Sequence, residues 1–120
     1  MDLEINALLK LGKDCFENKI YEDALKHFIA IIKKNVHFAD VYNMMGLIYH
    51  EHGKFTKAQE SFEKALKLNP NYTEAALNLA VTYNDIGKYK EAKDTYLKAK
   101  DSTKEPGEID GFVKGKLANM

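Results

Sequence analysis

The sequence predicts an all-α protein, a stack of three helix hairpins followed by one last helix, and three observations carry that expectation. Small and aromatic landmarks recur at a step of 34 residues: Gly12, Gly46 and Ala80; Ala24, Ala58 and Ala92; Phe28, Phe62 and Tyr96. Within a step the landmarks keep helical spacing. Tyr42, Met45, Gly46 and Tyr49 stand at i, i+3, i+4 and i+7 and share one face of an α-helix. Punctuation falls where helices must stop, at Gly53 and Gly87 midway through their units and at Asn69-Pro70 at the end of the second.

The first unit spans residues 5–38. Its opening helix, residues 3–17, turns Leu8, Leu11 and Cys15 inward, and Asn18-Lys19 closes it. The partner helix, 21–34, turns in Tyr21, Ala24, Leu25, Phe28 and Ile31 or Ile32. Lys33-Lys34 suit the negative end of its dipole, so the pair needs no ligand to explain it. The second unit, 39–72, places helices at 39–52 and 55–68, the latter with Phe55, Ala58, Phe62, Ala65 and Leu66 on one face. The third unit, 73–106, repeats the pattern with helices at about 72–86 and 89–101. In residues 107–120, Ile109, Phe112, Val113 and Leu117 share one face, and Pro106 suits a first helical turn. This segment is either a cap over the third unit or, since Leu117-Ala118 echoes Leu79-Ala80, the start of a truncated fourth unit.

The physical logic of the landmarks is small against large. Gly12, Gly46 and Ala80 let two helices approach closely, and the alanine column answers them from the second helix. A large residue there would overpack the contact by roughly 1–3 kcal/mol. Burying the aromatic of the second helix supplies on the order of 2–3 kcal/mol per unit, so each hairpin leans on its neighbours.

The landmark set of the middle unit, Tyr42, Met45-Gly46, Tyr49, Ala58, Phe62, Ala65 and Pro70, resembles the tetratricopeptide repeat. The first unit departs from the pattern at Leu8, Cys15, Ile31 and Val36, and the third at Ala76, Ala80 and Lys104, mostly with compatible volumes. The resemblance covers about residues 5–106. It implies a right-handed superhelical stack whose first helices line a concave groove, and a non-catalytic module that binds a protein segment there. Because the family is defined by packing residues, the resemblance names no partner.

Composition narrows the function classes. Eighteen basic side chains balance eighteen acidic ones, and every basic one is lysine. Without arginine the chain lacks the side chain best suited to bidentate phosphate or guanine recognition, and a neutral balance gives no general field for a polyanion, so a nucleic-acid role is disfavoured. One cysteine, Cys15, excludes an internal disulfide and sits in a column otherwise filled by Tyr49 and Tyr83, as a packing residue would. The longest strongly apolar run, Phe28 to Ile32, falls far short of the roughly 20 residues that cross a bilayer, so no membrane insertion is expected. The acidic start Met1-Asp2-Leu3-Glu4 is unlike a secretory leader, and the expected location is cytoplasmic. Asn71-Tyr72-Thr73 then serves as a turn and helix start in place of a glycosylation triplet.

Catalysis is not expected, nor a cofactor or a metal. His50 and His52 are two apart and diverge on a helix, His27 and His37 lack partners at ligand spacing, Ser61 and Ser102 have no base nearby, and no glycine-rich phosphate loop is present. The candidate site is instead the free stripe of the first helices: Leu9 and Lys13; Asp40, Asn43, Leu47 and His50; Glu74, Leu77, Asn78 and Val81. Aliphatic groups rimmed by acids suit a peptide or helix that carries basic and apolar residues, with Asn43 and Asn78 bonding its backbone and His50 offering a pH-sensitive contact. Members of the family that hold the acidic tail of heat-shock chaperones use lysine, asparagine and arginine at places that here fall on Leu9, Lys13, Met44, Glu74 and Asn78. None of these matches, and Glu74 would repel a carboxylate, so that role is not expected. The alternative to a groove ligand is self-association through the open end around Ile109, Phe112 and Val113.

Overall fold

The computed structural model describes residues 2–102, which form six α-helices: α1 (Leu3–Glu17), α2 (Tyr21–Lys33), α3 (Ala39–Glu51), α4 (Phe55–Leu68), α5 (Thr73–Ile86) and α6 (Tyr89–Ser102). There is no strand among the described residues. Consecutive helices pair as hairpins α1/α2, α3/α4 and α5/α6, and the hairpins join through α2 on α3 and α4 on α5. The expectations for residues 107–120, including Ile109, Phe112 and Val113, lie outside the described residues.

All three hairpins turn by one device, repeated at the 34-residue step. A left-handed residue follows each first helix: Lys19 at φ 60°, Gly53 at 74° and Gly87 at 88°. The next residue's N–H then reaches back five positions, from Ile20 to the Cys15 carbonyl, Lys54 to Tyr49 and Lys88 to Tyr83, each at 2.8 Å. These bonds satisfy carbonyls that the helix end leaves bare. The same three residues start the second helices, because the carbonyls of Ile20, Lys54 and Lys88 accept from the N–H groups of Ala24, Ala58 and Ala92 at 3.0 Å. Glycine adopts a positive φ without strain; Lys19 does so at a cost of roughly 1–2 kcal/mol, which the turn's two bonds must offset.

Inside the first two hairpins the second-helix phenyl ring packs directly against the first-helix glycine. Phe28 and Phe62 are fully buried. A methyl group built on Gly12 would stand 2.5 Å from Phe28 Cε1, and one on Gly46 2.6 Å from Phe62 Cδ1, so neither site has room for a Cβ. The third hairpin tolerates Ala80 because its aromatic, Tyr96, is only half-buried beside the Ala80–Ala92 contact.

Leu11 corrects the inward reading of the first helix: it is 49% exposed, whereas its counterparts Met45 and Leu79 are buried. Those two face the second helix of the preceding hairpin, and no described helix precedes α1. Ile31, not Ile32, is the fully buried member of its pair. The two joints between hairpins also differ, since α4 approaches α5 more closely than α2 approaches α3. At the corresponding position α3 presents Tyr42 and α5 the smaller Ala76.

Hairpins two and three are further tied by Tyr83, whose hydroxyl donates to Glu63 Oε2 at 3.1 Å. Burial, and then that bond, push the Tyr83 phenol from its ordinary 10.0 up to about 12. Between those values the unfolded chain gives up a proton that the folded chain keeps, so stability present below pH 10 falls as pH rises toward about 12. Thermal melts across that window are expected to show a shallower alkaline decline for Tyr83→Phe than for the parent; identical slopes would show that this phenol is not the group responsible. A second test concerns the glycine contact. Alanine is the better helix former by about 1 kcal/mol, yet displacing the buried Phe62 ring costs roughly 1–3 kcal/mol, so Gly46→Ala should be destabilising in urea unfolding. Restoration of stability by Phe62→Leu in the same chain would identify the ring as the cause.

Candidate partner-binding groove

The wall opposite the second helices is built from α1, α3 and α5, and several of its polar side chains are engaged across helices. Lys13 on α1 pairs with Asp40 on α3 at 3.0 Å, both side chains being nearly half exposed. Asn78 on α5 donates through Nδ2 to Asn43 Oδ1 at 3.1 Å, and Asn43 Nδ2 donates to the Tyr72 hydroxyl at 3.4 Å. His50 Nε2 lies 2.7 Å from Asp85 Oδ2. A carboxylate oxygen only accepts, so Nε2 carries the hydrogen. The imidazole also meets Phe55 edge-on, with ring centroids 5.1 Å apart.

Two of these links join residues 35 apart, Asn43 with Asn78 and His50 with Asp85. One step of the repeat plus one residue therefore brings neighbouring first helices into register. Tyr72 belongs to the same network, and its phenol is raised above the ordinary tyrosine value by burial first and by the fields of Glu74 and Asp40 second. It stays protonated at neutral pH while accepting from Asn43.

The ten residues expected to face a partner divide into three groups. Leu9, Leu47 and Asn78 are half-buried, the leucines packing partly against the core, and Glu74 is exposed. Lys13, Asp40 and His50 remain accessible but are paired within the stack. Asn43, Leu77 and Val81 are buried at 3%, 8% and 7% exposure, which corrects the reading of them as a free stripe. Aliphatic groups leave water wherever a stack offers cover, and Asn43 is drawn in with its hydrogen bonds already made. The stripe expectation missed Asp85 as the partner of His50 and Tyr72 as the partner of Asn43. The signal for the first was present, since a histidine and a carboxylate stand 35 residues apart on successive first helices.

Comparisons with known proteins agree with this architecture. One tetratricopeptide repeat family model matches residues 39–72 and a second matches residues 61–94. The fold is similar to the Arabidopsis OM64 TPR domain, at TM-score 0.82 and 20% identity, covering 96% of this chain and 92% of that one. It is similar to the TPR2B domain of yeast Sti1, solved in a pHsp70 complex, at TM-score 0.84 and 18% identity, covering 98% and 95%. It is also similar to the second TPR domain of human RPAP3, solved with the HSP70 peptide SGPTIEEVD, at TM-score 0.82 and 20% identity, covering 98% and 94%. No curated protein matches the sequence.

The asparagine link is open to measurement. Asn43→Ala and Asn78→Ala, unfolded in urea singly and together, are expected to show a coupling of roughly 0.5–1.5 kcal/mol. Simple additivity would show that the contact contributes nothing to stability.

Proposed function

The chain belongs to the tetratricopeptide repeat family, and on that premise we propose that it is a protein-interaction module whose first-helix groove receives a partner segment carrying basic and apolar residues. One observation carries the reading: α3 and α5 hold Asp40, Glu51, Glu74 and Asp85 and not a single lysine. Glu51 and Glu74 are exposed and form no ion pair among the described residues, so their charge is available to an incoming cation. The half-buried Leu9, Met44 and Leu47 supply the apolar part, and Asp40 adds a carboxylate that its Lys13 partner only partly screens. Leu77 and Val81 contribute shape more than contact area, given their burial.

The chaperone peptides seen with the yeast Sti1 and human RPAP3 domains make the contrast useful. The HSP70 peptide of the RPAP3 complex ends in Glu-Glu-Val-Asp, an acidic tail. At the places from which the family grips such tails, this chain presents Leu9, Lys13, Met44, Glu74 and Asn78, with Lys13 committed to Asp40 and Asn78 to Asn43. Only one cation stands at those five places, paired with Asp40, against an exposed glutamate. The groove therefore selects against acidic tails and for basic ones.

The test is a peptide of alternating lysine and leucine titrated against the chain and against Asp40→Lys/Glu74→Lys. The double variant is expected to bind at least about tenfold more weakly, with the parent affinity falling as salt rises. Equal affinity in the two proteins would remove the groove from the binding site.

A further inference from the structure

The face made by the second helices carries a hollow that repeats with the sequence. One, of about 290 Å³, opens between the first and second hairpins, and another, of about 260 Å³, between the second and third. Their linings correspond at the 34-residue step: Met45 with Leu79, Ser61 with Thr95, and Lys64 with Lys98. Ile32 and Leu66 complete the two apolar floors.

Charge distinguishes this face from the groove. Lys33, Lys57 and Lys64 surround the first hollow against a lone carboxylate, Glu60, and Lys98 overlooks the second. None of these lysines takes part in an ion pair among the described residues. Two of them are held in place without being neutralised: Lys57 Nζ sits 5.7 Å from the centre of the Tyr49 ring and Lys64 Nζ 5.7 Å from that of Tyr42. An ammonium over an aromatic face is oriented by the ring quadrupole yet keeps its full charge for another partner. Ile29, exposed at the rim of the first hollow, extends its apolar surface.

We propose that this face docks an acidic segment of a partner protein, laid along the stack so that one apolar side chain enters each hollow while its carboxylates meet Lys57, Lys64 and Lys98. Hollows repeating at a fixed structural step suit a linear ligand better than a compact one, and unpaired ammonium groups above aliphatic floors call for carboxylates spaced between apolar side chains. The site is independent of the acidic groove, so the chain can hold two partners of opposite charge at once.

The test uses the full chain and a fluorescein-labelled peptide in which leucine and phenylalanine are separated by glutamates, followed by fluorescence anisotropy. Lys57→Glu/Lys64→Glu is expected to weaken binding at least about tenfold while the chain keeps its helical circular dichroism spectrum. Lys57→Gln/Lys64→Gln, which keeps a stem over each ring, should weaken it in the same direction by a smaller factor. An all-glutamate peptide should bind more weakly than the apolar-studded one. Undiminished binding by both lysine variants would overturn the proposal, as would an equal loss on Asp40→Lys/Glu74→Lys. So would capture by phosphatidylserine vesicles with no peptide binding, or a dimer of the chain that excludes the peptide.

Discussion

The contact between a phenyl ring and a bare helix backbone sets the geometry of this molecule. Phe28 over Gly12 and Phe62 over Gly46 hold two helices close enough that a single methyl group would collide with the ring. With the alanines at 24, 58 and 92 fully buried across the same seam, the hairpin closes on a surface of small groups against one large one. Close packing of this kind is intolerant of added volume, and it fixes where each first helix lies relative to its second. The third hairpin relaxes the rule in a consistent way, pairing the larger Ala80 with a ring that is only half-buried.

Once the hairpins are fixed, the stack sorts its polar groups. Along the first helices, side chains on neighbouring hairpins meet at a step of 35, and the groups found there are complementary: amide with amide, imidazole with carboxylate. Along the second helices, lysines stand over tyrosine rings beside apolar hollows. The result is a neutral chain in which α3 and α5 carry acids without lysine and lysines gather beside the hollows. A count of charges over the whole chain conceals this arrangement.

Much of the fold was legible because its determinants are local or periodic. Helical spacing around Tyr42–Tyr49 and the small residues at 12, 46 and 80 depend on nothing far away, and the turn at Gly53 and Gly87 is written in the residue type. Lys19 shows the limit: it occupies the same left-handed position without being glycine, and only the repeat step could have pointed to it. Leu11 shows another, since its column is buried in later hairpins and open in the first for want of a preceding helix. The candidate groove was less legible. Asn43 and His50 read as free on their own helices, yet Asn78 and Asp85 arrive from the next hairpin to occupy them.

The sequence by itself determined that the chain is helical, that its helices pair in hairpins and that the unit repeats every 34 residues, because helix period, turn chemistry and the volumes facing one another within a hairpin are properties of neighbouring residues. Only the tertiary structure decided which side chains remain available. Packing between successive hairpins selects the pairs that meet across them, as the burial of Leu77 and Val81, the Lys13–Asp40 bridge and the lysine-rimmed hollows show. No single residue's type encodes these meetings, since each needs side chains brought together from two hairpins.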